Sequence, residues 1–191
     1  MKRFLIAALL TLSACGREVA EAPPGEAVSF RDRTVPIAST TRGGPGDLNG
    51  EWVVSAAFGE GPVRGLDVTD RVRVALEPAG RGEWTFTDRA GAWVRVPVAL
   101  VQPGRYEVST PQPAANVLFG TATPKLVVLW VDDDFRTAVV GTPDGSFGWV
   151  MDRPGQGSPD RLAAAREVLD FNGYDLGRLS GAPEEPPVPI I

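Results

Sequence analysis

Histidine is absent from the 191-residue sequence, and cysteine occurs once, as Cys15. Without histidine, the Ser-His-Asp and Cys-His catalytic arrangements, histidine zinc sites and histidine haem ligation are excluded. A single cysteine excludes an intrachain disulfide framework and a multi-cysteine metal site. The formal net charge of -5 at pH 7 disfavours a nucleic-acid-binding protein. These absences predict a protein that is not an enzyme and that uses neither a metal nor another cofactor.

An apolar run near the N-terminus, Phe4–Leu12, follows two basic residues and is too short to span a bilayer as a helix. It leads into the sequence L-S-A-C, which ends at Cys15 and resembles the bacterial lipobox, where small residues precede the cysteine that receives lipid. We therefore predict a lipoprotein signal peptide at residues 1–14 and lipidation of Cys15. The alternative is an ordinary secretory signal in which the cysteine is incidental.

The lipobox resemblance also implies a location. Acyl chains on Cys15 would hold the protein to a membrane without a transmembrane helix. In enteric bacteria an aspartate after the lipidated cysteine signals retention in the inner membrane, and here that position is Gly16. We therefore predict that the protein is lipid-anchored in a bacterial cell envelope, at the outer membrane.

The chain after the signal divides by composition. Residues 15–46 are rich in Pro, Gly, Thr and charge, which predicts a lipidated N-terminus and a flexible linker, with Phe30–Ile37 able to dock on the folded unit. Residues 47–180 form that folded unit. Residues 181–191 contain several prolines and are predicted to be a loose tail.

Alternating apolar and polar residues, separated by turn residues, predict an all-β unit of eight strands. The predicted strands are Glu51–Phe58, Arg71–Glu77, Glu83–Thr87, Ala92–Leu100, Gly104–Ser109, Lys125–Val131, Thr137–Gly141 and Phe147–Asp152. One helix begins at Pro159, after Ser158 as N-cap, and ends at Asn172-Gly173. Closing the strands into an up-and-down antiparallel barrel removes the sheet edges, with the helix packed outside. A two-sheet sandwich is the alternative architecture.

A G-x-W motif occurs at Gly50 and Trp52, a D-D-D-F motif lies around Asp134, and a third motif ends at Arg153 just after the last strand. In this order, with a helix after the third, they resemble the three motifs of the lipocalins, specifically the bacterial outer-membrane lipoprotein lipocalins. The resemblance implies that Trp52 lies at the closed end of the barrel with Arg153 across its face, a structural pair. The second motif departs from the usual T-D-Y, so a tyrosine hydroxyl is missing. The interval between the first two motifs is short for the family, which predicts shorter strands or shorter loops at the open end and so affects the depth of the pocket.

The resemblance also implies a ligand pocket, because Trp52 points inward in that family and side chains alternate along a strand. The predicted ligand-binding residues are Val54, Ala56, Trp84, Phe86, Val96, Val98, Tyr106 and Val108. Their chemistry suits an acyl chain, with Tyr106 as a polar contact for a headgroup. The run Asp132-Asp133-Asp134 is interpreted as a solvated turn, because it lacks the loop that calcium ligation needs.

The function that follows is a membrane-tethered lipocalin that binds a fatty acid or lysophospholipid for lipid storage, transport or envelope maintenance. Its expected partners are that ligand and the membrane, with a homodimer left open and no nucleic acid. Two alternatives remain: an envelope scaffold module whose barrel is filled, and a lipid-modifying enzyme.

Overall fold

The computed structural model describes residues 29–59, 66–119 and 123–181. The strands are β1 Gly50–Phe58, β2 Arg71–Leu76, β3 Arg81–Thr87, β4 Trp93–Gln102, β5 Arg105–Val108, β6 Lys125–Val131, β7 Thr137–Gly141 and β8 Gly148–Asp152. Each pairs antiparallel with its neighbours in sequence, and β1 pairs with β8. The predicted eight-stranded up-and-down barrel is therefore confirmed.

Within the described residues, two α-helices accompany the barrel. The predicted C-terminal helix is α2, Pro159–Phe171, which packs outside the barrel against β6 and β7. Proline at its first position and Asp160 in its first turn favour helix initiation there. The other helix, α1, Pro113–Phe119, lies between β5 and β6 and was not expected. Seven residues are too few for an apolar periodicity to be recognised in the sequence.

The up-and-down order gives the barrel two distinct ends. At the closed end lie the β2–β3, β4–β5 and β6–β7 turns, together with a 3₁₀ turn at Pro45–Leu48 just before β1. At the opposite end, here called the open end, lie the β3–β4 turn, the β7–β8 turn and α1. Helix α2 follows β8, so it starts beside the closed end and runs toward the open end.

A β-bulge in β1 divides its side chains between two environments. The register with β8 shifts between Val54 and Ala56. Val54 and Ala57 therefore pack inside the barrel, while Ala56 and Phe58 pack outside it in the cluster that contacts α2. The prediction that Ala56 lines the pocket is wrong, because the extra residue of the bulge reverses the alternation on which it rested.

Residues 29–48, here called the N-terminal strap, lie against the barrel rather than away from it. Phe30 N–H donates to the Gly145 carbonyl at 2.7 Å, and Thr40 N–H donates to the Val128 carbonyl at 2.8 Å. The buried Arg31 guanidinium donates to the carbonyls of Asn172, Pro143 and Val35. The predicted docking of this segment is thus present, and it continues through residue 46, where a flexible linker was expected.

The outer cluster joins the strap, the barrel wall and α2. Its members are Phe30, Ala56, Phe58, Val127, Leu129, Val139, Val150, Ala165, Leu169 and Tyr174. The Phe58 ring lies 5.6 Å from that of Phe30 and 5.1 Å from that of Tyr174 between centroids.

Neither helix in the described parts of the chain has the length and apolarity needed to cross a bilayer.

Candidate functional site

The barrel encloses a second set of buried hydrophobic side chains, here called the interior cluster. It includes Trp52, Val54, Val72, Val74, Trp84, Phe86, Val96, Val98, Tyr106, Phe119, Phe147, Trp149 and Met151. Six of the eight residues predicted to bind ligand are buried members of this cluster, and Val108 is half-buried against it. The remaining one is Ala56, on the outer face.

Aromatic rings from opposite walls meet in the middle of the interior cluster. Trp84 on β3 and Trp149 on β8 approach edge to face, with 6.4 Å between ring centroids. Phe86 lies 6.1 Å from Trp149, and Tyr106 lies 5.9 Å from Trp84. Such edge-on pairs are favourable arrangements for aromatic side chains. Two other tryptophans lie elsewhere: Trp93 is 59% exposed, and Trp130 packs on the outer cluster.

Helix α1 covers this aromatic group from the open end. Its last residue, Phe119, is buried and lies 5.2 Å from Phe86, 5.4 Å from Phe147 and 6.4 Å from Trp149 between ring centroids. Phe119 was not predicted as an interior residue, because no element was predicted between β5 and β6. The apolar run that ends in Phe119 is the signal that could have identified it.

The interior tryptophans differ in how their indole nitrogens are used. Trp52 Nε1 donates to the Leu48 carbonyl at 2.8 Å. Trp84 Nε1 and Trp149 Nε1 are buried and have no hydrogen-bond partner among the described residues. Burial raises the pKa of Tyr106 to about 12, so its hydroxyl remains protonated and can donate. Among the described residues, the middle of the barrel therefore contains two indole donors, those of Trp84 and Trp149, without acceptors.

The closed end is sealed by Arg153, whose guanidinium lies 3.8 Å from the ring centroid of Trp52. A cation over an indole is worth about 0.5–2 kcal/mol. Arg153 also donates to the carbonyls of Asp47 at 3.0 Å, Asn49 at 2.9 Å and Phe135 at 3.1 Å. Burial lowers the pKa of Arg153, yet arginine stays charged in proteins.

Gly50 makes the approach of Arg153 possible. Its φ of +115° lies in a region that side chains rarely adopt, and a Cβ there would lie 2.9 Å from the Arg153 guanidinium. The G-x-W spacing thus places a residue without a side chain beside the cation and an indole beneath it. This geometry is structural, because every group in it is paired within the chain.

The β6–β7 turn is organised by a different aspartate from the one predicted. Asp132 is buried and accepts from Thr137 N–H at 2.7 Å and Arg136 Nε at 3.0 Å. Asp134 is exposed and forms an ion pair with the Arg136 guanidinium at 2.9 Å. The interpretation of the whole aspartate run as a solvated turn is therefore wrong for Asp132, which holds the turn together.

These contacts lower the pKa of Asp132. Burial by itself would raise it, but the hydrogen bonds from Thr137 and Arg136 and the charge of Arg136 together bring it below the usual carboxyl value.

In the described parts of the chain, no three Asp, Glu or Cys side chains come together as metal ligands. The predicted lipid site, Cys15, lies outside the described residues.

Comparison with known proteins places these features in a family context. Residues 95–184 match the family model described as a lipocalin-like domain. A stretch of 57 residues is 30% identical to temperature-induced lipocalin-1 from Arabidopsis thaliana, and it covers 30% of this chain and 31% of that protein.

Two solved structures are also similar. The siderocalin Ex-FABP has a TM-score of 0.49 at 13% identity, covering 74% of this chain and 97% of its own. Lobster apocrustacyanin A1 has a TM-score of 0.47 at 16% identity, covering 87% of this chain and 92% of its own. The match to the lipocalin-like domain, on a chain that forms a closed eight-stranded barrel, supports the lipocalin family for this protein.

Proposed function

We propose that the protein binds a small hydrophobic ligand carrying an acyl chain inside the barrel, and that a lipid on Cys15 holds it to a membrane. The observation that carries the binding role is the interior cluster, a buried set of apolar and aromatic side chains contributed by strands all round the barrel. Apolar ligand area moved from water into such an interior gains about 25 cal/mol per Å². A binding or carrier role needs no chemistry, which fits the general role of lipocalins.

Ligand binding is tested by measuring the lipid that co-purifies with the protein. The full chain, isolated from membranes, should release a reproducible hydrophobic compound on extraction, identified by mass spectrometry. A Val98→Asp variant should release much less of this compound, because Val98 lies in the interior cluster and a charge there opposes an apolar ligand. Equal lipid recovery from both proteins would mean that the compound came from the anchor or the detergent.

The aromatic packing favours one rival, a filled barrel that serves as a scaffold. Trp84, Phe86 and Trp149 already contact one another across the interior. If this rival holds, no compound is recovered and a neutral fluorescent probe does not bind. Turnover assays on lysophospholipids address the enzyme alternative.

The attachment of the N-terminal strap limits how far a lipid on Cys15 could hold the open end of the barrel from a membrane. Phe30 is bonded to the β7–β8 turn, at the open end. The roughly 15 residues from Cys15 to Phe30 can span at most about 50 Å, even fully extended. A lipid on Cys15 would therefore keep the open end within about 50 Å of the membrane, which favours exchange of ligand with it.

Cys15→Ser tests the anchor. We expect this variant to lose lipid modification and to leave the membrane fraction, while an Arg17→Gln variant keeps both. Membrane association of Cys15→Ser that survives a high-salt wash would contradict the lipobox interpretation. Comparison of inner- and outer-membrane fractions tests the predicted location in a bacterial outer membrane.

A further inference from the structure

Two buried hydrogen-bond donors in the middle of the barrel have no protein partner among the described residues. They are Trp84 Nε1 and Trp149 Nε1, on side chains that are 0% and 1% exposed. Buried polar groups in proteins are nearly always paired. Trp52, a third buried tryptophan of the same cluster, follows that rule through Leu48. Two exceptions in contact with each other therefore call for an acceptor that the described residues do not supply.

We propose that the ligand carries an uncharged hydrogen-bond acceptor, such as the carbonyl of an ester, ketone or amide, that is bound by the indole N–H groups of Trp84 and Trp149. This inference rests on the proposed function and specifies its ligand. The two rings are 6.4 Å apart between centroids, close enough to contact the same ligand group. A carbonyl oxygen has two lone pairs and can accept from both donors.

The charge distribution around the indoles selects a neutral acceptor over a carboxylate. An ionised carboxylate moved into an apolar interior loses its hydration, and the loss is severe unless a cation compensates it. Within the described residues, Arg31 is the only buried cation. Its guanidinium is bonded to carbonyls of the strap and of the outer segments at Asn172 and Pro143. A neutral carbonyl has no such requirement, so an esterified acyl chain fits better than a free fatty acid.

Phe119 determines how the site is reached. Its ring lies against Phe86, Phe147 and Trp149, on the side of the aromatic group that faces the open end. A ligand that enters from that end displaces this ring before it meets the indoles. Phe119→Ala should therefore change the room available to any apolar ligand, whether or not the ligand has an acceptor. This variant therefore separates the effect of available volume on affinity from the effect of the hydrogen bonds to the indoles.

The test compares three probes of similar length on the full-length protein stripped of lipid. They are dodecan-2-one, with a neutral acceptor, dodecanoate, with a charge, and dodecane, with neither. Each competes with the neutral fluorescent probe N-phenyl-1-naphthylamine. We expect the ketone to bind about tenfold more tightly than dodecane, the upper part of the range for one hydrogen bond, and more tightly than dodecanoate.

Variants assign the effect to the indoles. Trp149→Phe should lower the affinity for the ketone about tenfold and that for dodecane less than about twofold, because only the N–H is specific to the ketone. Trp84→Phe is the second variant, so a folding failure at one position leaves the other informative. Phe119→Ala should shift all three affinities by the same factor.

Nuclear magnetic resonance gives a direct readout. Indole N–H signals of Trp84 and Trp149 should move downfield with the ketone, while the signal of Trp93, which is 59% exposed, stays in place. Dodecanoate binding as tightly as the ketone would overturn the proposal. So would equal losses of ketone and dodecane in the tryptophan variants. If the fluorescent probe itself does not bind, hydrophobic ligand binding fails as well, a result distinct from the other two.

Discussion

The closed end and the middle of the barrel are both built around buried tryptophan, and they differ in how completely their polar atoms are satisfied. At the closed end, Trp52 donates to Leu48 and Arg153 is shared among carbonyl groups and the indole face. In the middle, Trp84 and Trp149 keep their donors unpaired among the described residues. The first arrangement is complete within the chain and stabilises the fold. The second leaves two indole N–H donors available to an acceptor on a ligand.

The largest effect is expected from the closed end. Trp52→Ala should lower the free energy of unfolding by about 3–5 kcal/mol, because it removes a large, fully buried ring. Arg153→Ala should cost less. Both variants lose the same contact, so the double variant should lose less than the sum, as measured by chemical denaturation. Strictly additive losses would show that the pair contributes no mutual stabilisation.

A charge in the barrel interior should come next. Val98→Asp buries a carboxyl group inside the barrel and should cost about 3 kcal/mol of stability or abolish binding of the neutral probe N-phenyl-1-naphthylamine. Arg95→Asp is the control on the same strand. Its side chain is exposed, 3.9 Å from Glu83, and should change the melting temperature little. Similar behaviour of the two variants would contradict the assigned faces of β4.

The β6–β7 turn gives a pH-dependent effect at the closed end. Asp132→Asn should lower stability by about 2 kcal/mol at neutral pH, since it removes charge-assisted hydrogen bonds. The pKa of Asp132 is lowered in the folded protein. Its contribution is therefore fully present above the unfolded carboxyl pKa of about 3.9 and is lost as the pH falls through the lower folded value.

Thermal melts from pH 7 down to pH 2 measure this contribution. The gap between wild type and Asp132→Asn should narrow toward the acidic end. Asp134→Asn is the matched control, because Asp134 is exposed and its ion pair with Arg136 is a surface pair. A gap that stays constant with pH would show that Asp132 acts by shape rather than by charge.

The smallest effect compares the two kinds of tryptophan directly. Trp52→Phe and Trp84→Phe remove the same atoms from fully buried sites. Only the first breaks a hydrogen bond and leaves a carbonyl, that of Leu48, without its donor. We expect Trp52→Phe to cost about 1 kcal/mol more in the absence of ligand. Equal costs would remove the distinction between the two regions.

The strand pattern was readable from the sequence because side-chain alternation is local. In β2, Val72, Val74 and Leu76 are buried while Arg71 and Arg73 are exposed, as their order along the chain indicates. Turn residues marked the strand ends, and the barrel followed from the need to close the sheet edges. The same reasoning placed Val96 and Val98 on the interior face of β4.

The errors arose where a residue's environment depends on more than the alternation along its own strand. Ala56 faces outward because β1 changes register against β8, which is far along the chain. Asp132 is buried because the chain turns and brings Arg136 and Thr137, four and five residues later, back onto its carboxylate. Phe119 becomes part of the interior only when α1 lies over the open end. Strand alternation contains none of these contacts.

By itself the sequence determined the eight strands, the C-terminal helix, the order of the motifs and the absence of histidine chemistry, since each depends on residue type and short-range period. Only the tertiary structure decided which tryptophan nitrogens are paired. Trp52 meets the Leu48 carbonyl, whereas the rings of Trp84 and Trp149 meet each other across the barrel. The Trp52 bond is made to a turn only four residues earlier in the chain, whereas Trp84 and Trp149 project into an interior where no described residue places an acceptor, and that can be seen only once the barrel has closed.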